Sequence, residues 1–173
     1  MTAAVTRRAT IRNPDYFFRE GFTYTTVTPG KFSARYTPGN AVFDSGGGTY
    51  FAESNLMTYG ALLNSEVAAR YFEFLAPTLN YQPGDVSRIP VAPGLEDLEL
   101  EGLAAVDAAR RIWDSSELSW DFQGLGIQPA AVEQWVGERC DAIVKLRSTI
   151  ANIELRNDQA IADLYGMKLD RTT

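Results

Sequence analysis

Apolar and polar residues alternate along the first half of the chain. β-Branched and aromatic residues form three short runs, over residues 22–28, 31–36 and 41–43, and Pro-Gly pairs separate these runs. Runs divided in this way are typical of short antiparallel strands. We therefore predict an N-terminal arm over residues 1–15 and a small β-rich lobe over residues 16–92.

A helical spacing replaces this alternation from residue 56 onward. Apolar residues over 56–75 recur at near-helical steps and Pro77 follows them, which predicts one amphipathic helix. Residues 79–85 are predicted to form a polar loop. Residues 86–91 are predicted to form a short strand.

Beyond Pro93 the pattern is helical, apart from one aromatic and acidic loop. It predicts two long helices, over 95–113 and 129–155, and a short one over 158–165 that ends at Gly166. The second long helix carries apolar residues at steps of three and four: Val136, Cys140, Ile143, Leu146, Ile150 and Ile153. We expect an α+β fold in which residues 93–173 form a helical spacer or interaction region packed after the β-rich lobe.

Composition excludes several classes of function. The chain has 173 residues, 45% of them apolar, which suits one compact domain or two small packed lobes, and no apolar run reaches the length of a membrane span. It contains no histidine and one cysteine, Cys140. Internal disulfides, Ser-His-Asp or Cys-His catalysis and His-ligated metals are therefore excluded within this sequence. We expect a soluble, cytoplasmic protein with no bound metal.

Charge is distributed unevenly along the chain. The net charge is −6, but residues 1–91 sum to +1 and the remainder to −7. Residues 7–36 hold six cations and two anions, a local excess that attracts polyanions. A solvated arginine-rich tail is the alternative explanation of that excess.

One short motif raises the question of catalysis. Asn13-Pro14-Asp15-Tyr16 differs by one residue from the Asn-Pro-Pro-Tyr loop with which amino-methylating DNA methyltransferases hold a flipped base. Asp15 replaces the second proline, and too few residues precede the motif to form a methyl-donor site. The restriction that a proline places on the preceding residue favours an extended linker here instead.

The acidic loop between the long helices offers carboxylates. Asp114, Glu117 and Asp121 are candidates for acid-base work or for a magnesium site, but nothing in the sequence orients them. Trp113, Trp120 and Phe122 favour packing of this loop against the helices. The run Gly46-Gly47-Gly48 lacks the context of a phosphate-binding loop and reads as a flexible turn.

Two turns of the β-rich lobe carry side chains that read DNA bases. Arg and Lys pair with guanine, Asn and Gln with adenine, and Ser with either. The candidate base-edge contacts are Lys31, Ser33, Arg35, Asn80 and Gln82. Aromatic neighbours such as Tyr36 either support these side chains by packing or stack on an exposed base. Ordinary turn chemistry would explain the same residues.

The order of several segments resembles the C-terminal region of large adenine-specific DNA methyltransferases. The similarity is strongest to the PglX-type methyltransferases of BREX phage-defence systems, which are related to fused type II restriction-modification enzymes. It runs from about Tyr16 to Gly166. The segments that carry it are residues 18–21, 30–36, 43–44, 62–65, 77–85, 89–90, 113–115, 119–122 and 163–166.

The resemblance implies a target-recognition fragment of a restriction-modification or BREX enzyme. In that family the S-adenosylmethionine site and the catalytic loop precede these segments, so we expect no catalytic residue and no cofactor in this chain. Double-stranded DNA is the implied partner, together with a methyltransferase catalytic domain or other defence-system subunits. Residues 16–91 would read the DNA, and the candidate phosphate contacts are Arg7, Arg8, Arg12 and Arg19.

Two other functions stay open. The helices over 95–165 would dock on a methyltransferase or another defence subunit if an apolar patch lies beside Trp113 and Trp120. An active methyltransferase using Asn13 and Tyr16 would be indicated only by measurable binding of S-adenosylmethionine.

Overall fold

A computed structural model describes residues 13–43, 46–98, 100–126 and 132–169. These residues include the strands β1 (Gly21–Thr25), β2 (Ala34–Thr37) and β3 (Gly47–Tyr50). They also include five helices, which are α1 (Leu56–Leu63), α2 (Glu66–Leu75), α3 (Pro83–Val86), α4 (Gly102–Trp113) and α5 (Val132–Leu164). One short 3₁₀ turn precedes β1 and another precedes α4. The predicted α+β fold is confirmed.

The three strands form one antiparallel sheet in the order β2-β1-β3. Side chains alternate between its two faces, as they do in any strand. Phe22 and Tyr24 of β1 are buried in the hydrophobic core with the helices, whereas Thr23 lies on the opposite face. We call that opposite face the open face of the sheet.

The third strand is Gly47–Tyr50, so the prediction of a strand over residues 41–43 and of a flexible glycine turn was wrong. Gly48 pairs with Tyr24 across the sheet. A Cβ atom at Gly48 would overlap the ring of Tyr24. Glycine is needed here because the buried tyrosine lies directly over the strand.

The helix predicted over residues 56–75 is two helices, interrupted at Asn64 and Ser65. The Ser65 hydroxyl accepts a hydrogen bond from the Ala68 N–H (3.2 Å), which caps α2. The Asn64 side chain accepts a hydrogen bond from the Ala34 N–H (2.8 Å) and donates one to the Ala34 carbonyl (2.9 Å). Asn64 therefore substitutes for a neighbouring strand at the start of β2.

The strand predicted over residues 86–91 is also wrong. Pro83 begins the single helical turn α3, and proline is well suited to that position because its φ angle is already helical. The Gln82 N–H donates to the Asp85 carboxylate (3.2 Å), which closes the turn. No strand lies between α3 and α4 in the described residues, which omit residue 99.

Helices α4 and α5 pack side by side and antiparallel. The Glu101 carboxylate before α4 contacts Arg156, and the carbonyl of Ser115 after α4 accepts from Arg139. The second long helix and the short final helix of the prediction are one helix, α5. Gly166 (φ +63°) ends it as predicted, with the Met167 N–H bonded to the Ala162 carbonyl (2.8 Å).

In the first turns of α5, the residues that face the rest of the protein are not the predicted ones. Ile153 is buried, and Ile143, Leu146 and Ile150 are half-buried, as expected. The apolar stripe was predicted to begin with Val136 and Cys140, but these two are exposed. Trp135 and Arg139 are half-buried instead and stack on each other at 5.1 Å. The predicted start at residue 129 lies outside the described residues.

The core is continuous between the sheet and the helices. Phe22, Val67, Leu95, Ile161 and Ala162 are all buried in one cluster, so the end of α5 packs with the β-rich part of the chain. The boundary at residue 92 stays a prediction. Among the described helices, none combines the length and apolar character that crossing a bilayer requires.

Candidate nucleic-acid interface

The two turns that carry the predicted base-reading residues lie side by side. Val27 and Asn80 form an antiparallel bridge. The Thr28 N–H donates to the Leu79 carbonyl (2.9 Å), and the Tyr81 N–H donates to the Thr26 carbonyl (2.7 Å). Backbone hydrogen bonds therefore join two turns that are far apart in sequence, one around residue 27 and the other around residue 80.

An aromatic cluster fixes both turns to the core. The Phe32 ring stacks on Phe72 with 4.4 Å between centroids, and it lies 5.1 Å from Tyr24 and 5.2 Å from Tyr81. Tyr81 is buried and Phe32 half-buried. These rings are therefore used in packing, the first of the two roles considered for the aromatic neighbours.

The polar side chains on these turns are exposed, but most already have protein partners. Lys31 forms an ion pair with Glu66 (3.4 Å). The Gln82 amide donates to the Asn80 side-chain oxygen (2.6 Å). Ser33 is exposed just before β2. A base edge would have to compete with Glu66 for Lys31, whereas Asn80 keeps its own amide donors.

Arg35 and Tyr36 are neighbours in sequence but lie on opposite faces of the sheet. Arg35 is exposed and pairs with Thr23, which places it on the open face. The Tyr36 hydroxyl donates to Glu20 (2.8 Å) on the helical side, and this bond is the main reason that the pKa of Tyr36 is raised. The Arg110 guanidinium lies 6.0 Å from the Tyr36 ring. Tyr36 is half-buried, and both its ring and its hydroxyl have protein partners on the helical side.

A groove of about 400 Å³ crosses the open face. Its walls include Thr23, Thr37 and Thr49, one from each strand, together with Phe43 and Phe51. Arg19 stands at this groove, and its guanidinium lies 5.1 Å from the Tyr16 ring and 5.7 Å from the Phe51 ring. Two aromatic rings thus hold this cation in place.

The sequence reasoning did not select the three threonines. Strand alternation could have indicated them. Thr23 is next to Phe22 and Arg35 is next to Tyr36, so each points to the face opposite its apolar neighbour. Of the other candidates, Arg7, Arg8 and Arg12 lie outside the described residues.

The segment that resembles a methyltransferase loop is a compact turn. Asn13 adopts a left-handed conformation (φ 51°), and Pro14–Tyr16 form a 3₁₀ turn closed by the Phe17 N–H bonding the Pro14 carbonyl (3.0 Å). The prediction of an extended linker was therefore wrong. The Tyr16 ring packs on Phe51 at 5.2 Å, which gives it a structural role beside Arg19.

The described residues do not form a site for S-adenosylmethionine of the kind expected from the family. Such a site needs a strand that leads through a glycine-rich turn into a helix, at the edge of a parallel sheet. The described sheet is wholly antiparallel, and Gly48 of β3 lies against the Tyr24 ring inside the sheet.

The acidic loop after α4 is closed by its own hydrogen bonds. The Ser119 hydroxyl donates to Asp114 (2.6 Å) and accepts from the Asp121 N–H (3.1 Å). Within the residues that the structure covers, no group of carboxylates is arranged to hold a metal. Trp113 is 54% exposed and Trp120 fully exposed, so the prediction that these two residues pack the loop against the helices was wrong, whereas Phe122 is half-buried.

Comparison with known proteins relates the chain to adenine-specific methyltransferases. One relative is the adenine-specific methyltransferase BrxX of Escherichia coli O9:H4 (strain HS), which is 33% identical over an alignment covering 95% of this chain. Another is the adenine-specific methyltransferase PglX of Lacticaseibacillus casei (strain Zhang), which is 33% identical over 90% of this chain. The chain spans 14% of the length of either relative. No family model matches the sequence.

Proposed function

We propose that this chain contacts DNA as the target-recognition part of an adenine-specific, S-adenosylmethionine-dependent DNA methyltransferase of a BREX phage-defence or restriction-modification system. The observation that carries the proposal is the 33% identity to adenine-specific methyltransferases over nearly the whole chain. Methyl transfer itself is assigned to residues outside this chain, since the antiparallel sheet offers no methyl-donor site among the described residues.

The geometry supports a DNA-contacting role. A methyltransferase must move its adenine out of the helix into the catalytic pocket, while another part of the enzyme holds the duplex and reads neighbouring bases. The joined turns present Lys31, Asn80 and Gln82 on rigid supports, because the aromatic cluster around Phe32 fixes them. Rigid supports are what base readout needs, because a hydrogen-bonding group that is free to move discriminates poorly.

Fluorescence anisotropy tests the proposal. Labelled duplex DNA is titrated with the purified chain at low and at moderate salt, and S-adenosylmethionine binding is measured by calorimetry. We expect salt-sensitive DNA binding without cofactor binding, because phosphate contacts release counterions. Absence of DNA binding at low salt would contradict the proposal, and cofactor binding would revive the active-methyltransferase alternative.

Variants locate the base-reading turns. Lys31→Ala combined with Asn80→Ala should weaken binding to a recognised duplex more than binding to an unrelated one, because base contacts carry the specificity. Arg111→Ala is the matched control, since it removes an exposed cation from α4. An equal loss on both duplexes would remove the turns from the readout surface.

A second candidate function rests on the exposed apolar residues after α4. Trp113, Leu118 (76% exposed) and Trp120 form an unprotected apolar group, and tryptophan is the residue most enriched where proteins bind one another. They would dock on the rest of a methyltransferase or on another defence subunit. Binding of the chain to a PglX-type methyltransferase produced without the matching segment, lost in Trp120→Ala and retained in the exposed control Phe74→Ala, would support this function.

A further inference from the structure

The two faces of the sheet differ in electrostatic character. On the helical side, two of the candidate DNA contacts already have carboxylate partners, since Lys31 pairs with Glu66 and Tyr36 donates to Glu20. The Lys31 turn also lies near Asp158, whose carboxylate accepts from the Glu66 N–H (2.9 Å). A duplex approaching this side would therefore meet carboxylates beside Lys31 and Tyr36.

The open face has the opposite character. Arg19 and Arg35 stand there, and within the described residues neither has a carboxylate at ion-pairing distance. The residues that line the groove include no acidic side chain in the part of the chain described. Glu20, next to Arg19 in sequence, is held on the helical side by Tyr36.

The open face also supplies neutral donors. Thr23, Thr37 and Thr49 line the groove between the strands, and threonine hydroxyls are frequent phosphate partners in protein–DNA contacts. The Thr23 hydroxyl already donates to the Gly48 carbonyl (3.2 Å), so Thr37 and Thr49 are the donors that a phosphate would meet. Arg35 and Thr49 lie on either side of Thr23 in one row across the sheet.

Arg19 is held in position at the groove. The rings of Tyr16 and Phe51 restrict its guanidinium, so less side-chain entropy is lost when it binds a phosphate. The 3₁₀ turn over Pro14–Tyr16 places Tyr16 for this contact. The segment that resembles a catalytic loop thus supports a basic residue.

We propose that the open face of the sheet, through Arg19, Arg35, Thr37 and Thr49, is the surface that binds the phosphate backbone of duplex DNA. This inference rests on the proposed function and adds that the open face binds the phosphate backbone of the DNA, separately from the residues that read bases. The turn around Asn80 reads bases at its edge, whereas Lys31, on the helical side, would first have to leave Glu66. The occupant is double-stranded DNA because the open face combines hydroxyl donors with two arginines that no carboxylate of the described residues pairs with.

The test compares three proteins by anisotropy across a series of salt concentrations. These are the wild type, Arg19→Gln/Arg35→Gln, and the control Arg110→Gln/Arg111→Gln, which removes the same charge from α4. Each lost phosphate contact should weaken binding about tenfold near 0.1 M salt and should lower the salt slope by about 0.9, for any DNA sequence. Circular dichroism confirms that each variant is folded.

Two outcomes separate this inference from the proposed function. Wild-type binding that survives unchanged in Arg19→Gln/Arg35→Gln would overturn the open-face assignment and leave the DNA-binding function intact. Wild-type protein that binds no DNA would overturn both. An NMR titration with a duplex gives a second readout that needs no variant, because the amides of Thr23, Thr37 and Thr49 should shift more than those of α4.

Discussion

Phe32 should be the residue that couples the two turns to the core. It is half-buried and contacts three other rings at 4.4–5.2 Å. Truncation of a buried phenylalanine to alanine costs about 3–5 kcal/mol, and half of that applies to a half-buried ring. The lost aromatic pairs add about 1 kcal/mol. We expect Phe32→Ala to lower the free energy of unfolding by about 3 kcal/mol, or by about 6–12 °C in Tm.

Urea denaturation followed by circular dichroism measures this effect. Phe32→Leu keeps most of the apolar area and should cost about 1 kcal/mol, from the aromatic pairs alone. Phe74→Ala is the matched control, because Phe74 is 81% exposed and its truncation should change stability by less than about 0.5 kcal/mol. If Phe32→Ala were no more costly than Phe74→Ala, the cluster would not be what fixes the turns, and their use as rigid base readers would lose its support.

Three further changes test local features of the fold by thermal denaturation. Asn64→Ala removes two hydrogen bonds to β2 and should cost about 1–3 kcal/mol, whereas no loss would show that water replaces the side chain. Gly48→Ala should cost about 1–3 kcal/mol, because its methyl group overlaps the Tyr24 ring; an unchanged Tm would contradict that overlap. Burial raises the pKa of Asp158 above 3.8, so the folded protein becomes more stable as this carboxyl is protonated. Asp158→Asn, which carries no charge, should therefore be at least as stable as wild type at neutral pH. The difference in stability should shrink as the pH falls towards 3.8.

The strands β1 and β2 were predictable because alternation is a local signal. The third strand was missed because Gly47 and Gly48 have low strand propensity, and what requires glycine there is Tyr24, more than twenty positions away in sequence. The break between α1 and α2 had a readable cap at Ser65. The apolar spacing on both sides of that residue nevertheless suggested one continuous helix.

The candidate site was predicted from residue types alone, and the structure shows that these residues lie on different faces of the sheet. Lys31 and Arg35 are close in sequence, yet one is paired on the helical side and the other stands on the open face. Strand parity predicts such a division in principle. The pairing of Lys31 with Glu66 was not predictable, because it depends on how α2 packs against the sheet.

The proposed binding of DNA by a chain with a net charge of −6 depends on the same division. Electrostatic attraction depends on the potential of the approaching face, and screening confines it to about 10 Å at 0.1 M salt. Glu66 and Glu20 bind groups on the helical side, and residues 92–126, which include α4, carry eight acidic residues against two arginines. Arg19 and Arg35 retain their charge on the open face. The negative charge on the helical side repels a duplex that approaches from there. The separation of charges therefore favours an orientation in which the duplex contacts the open face and the helices point away from it.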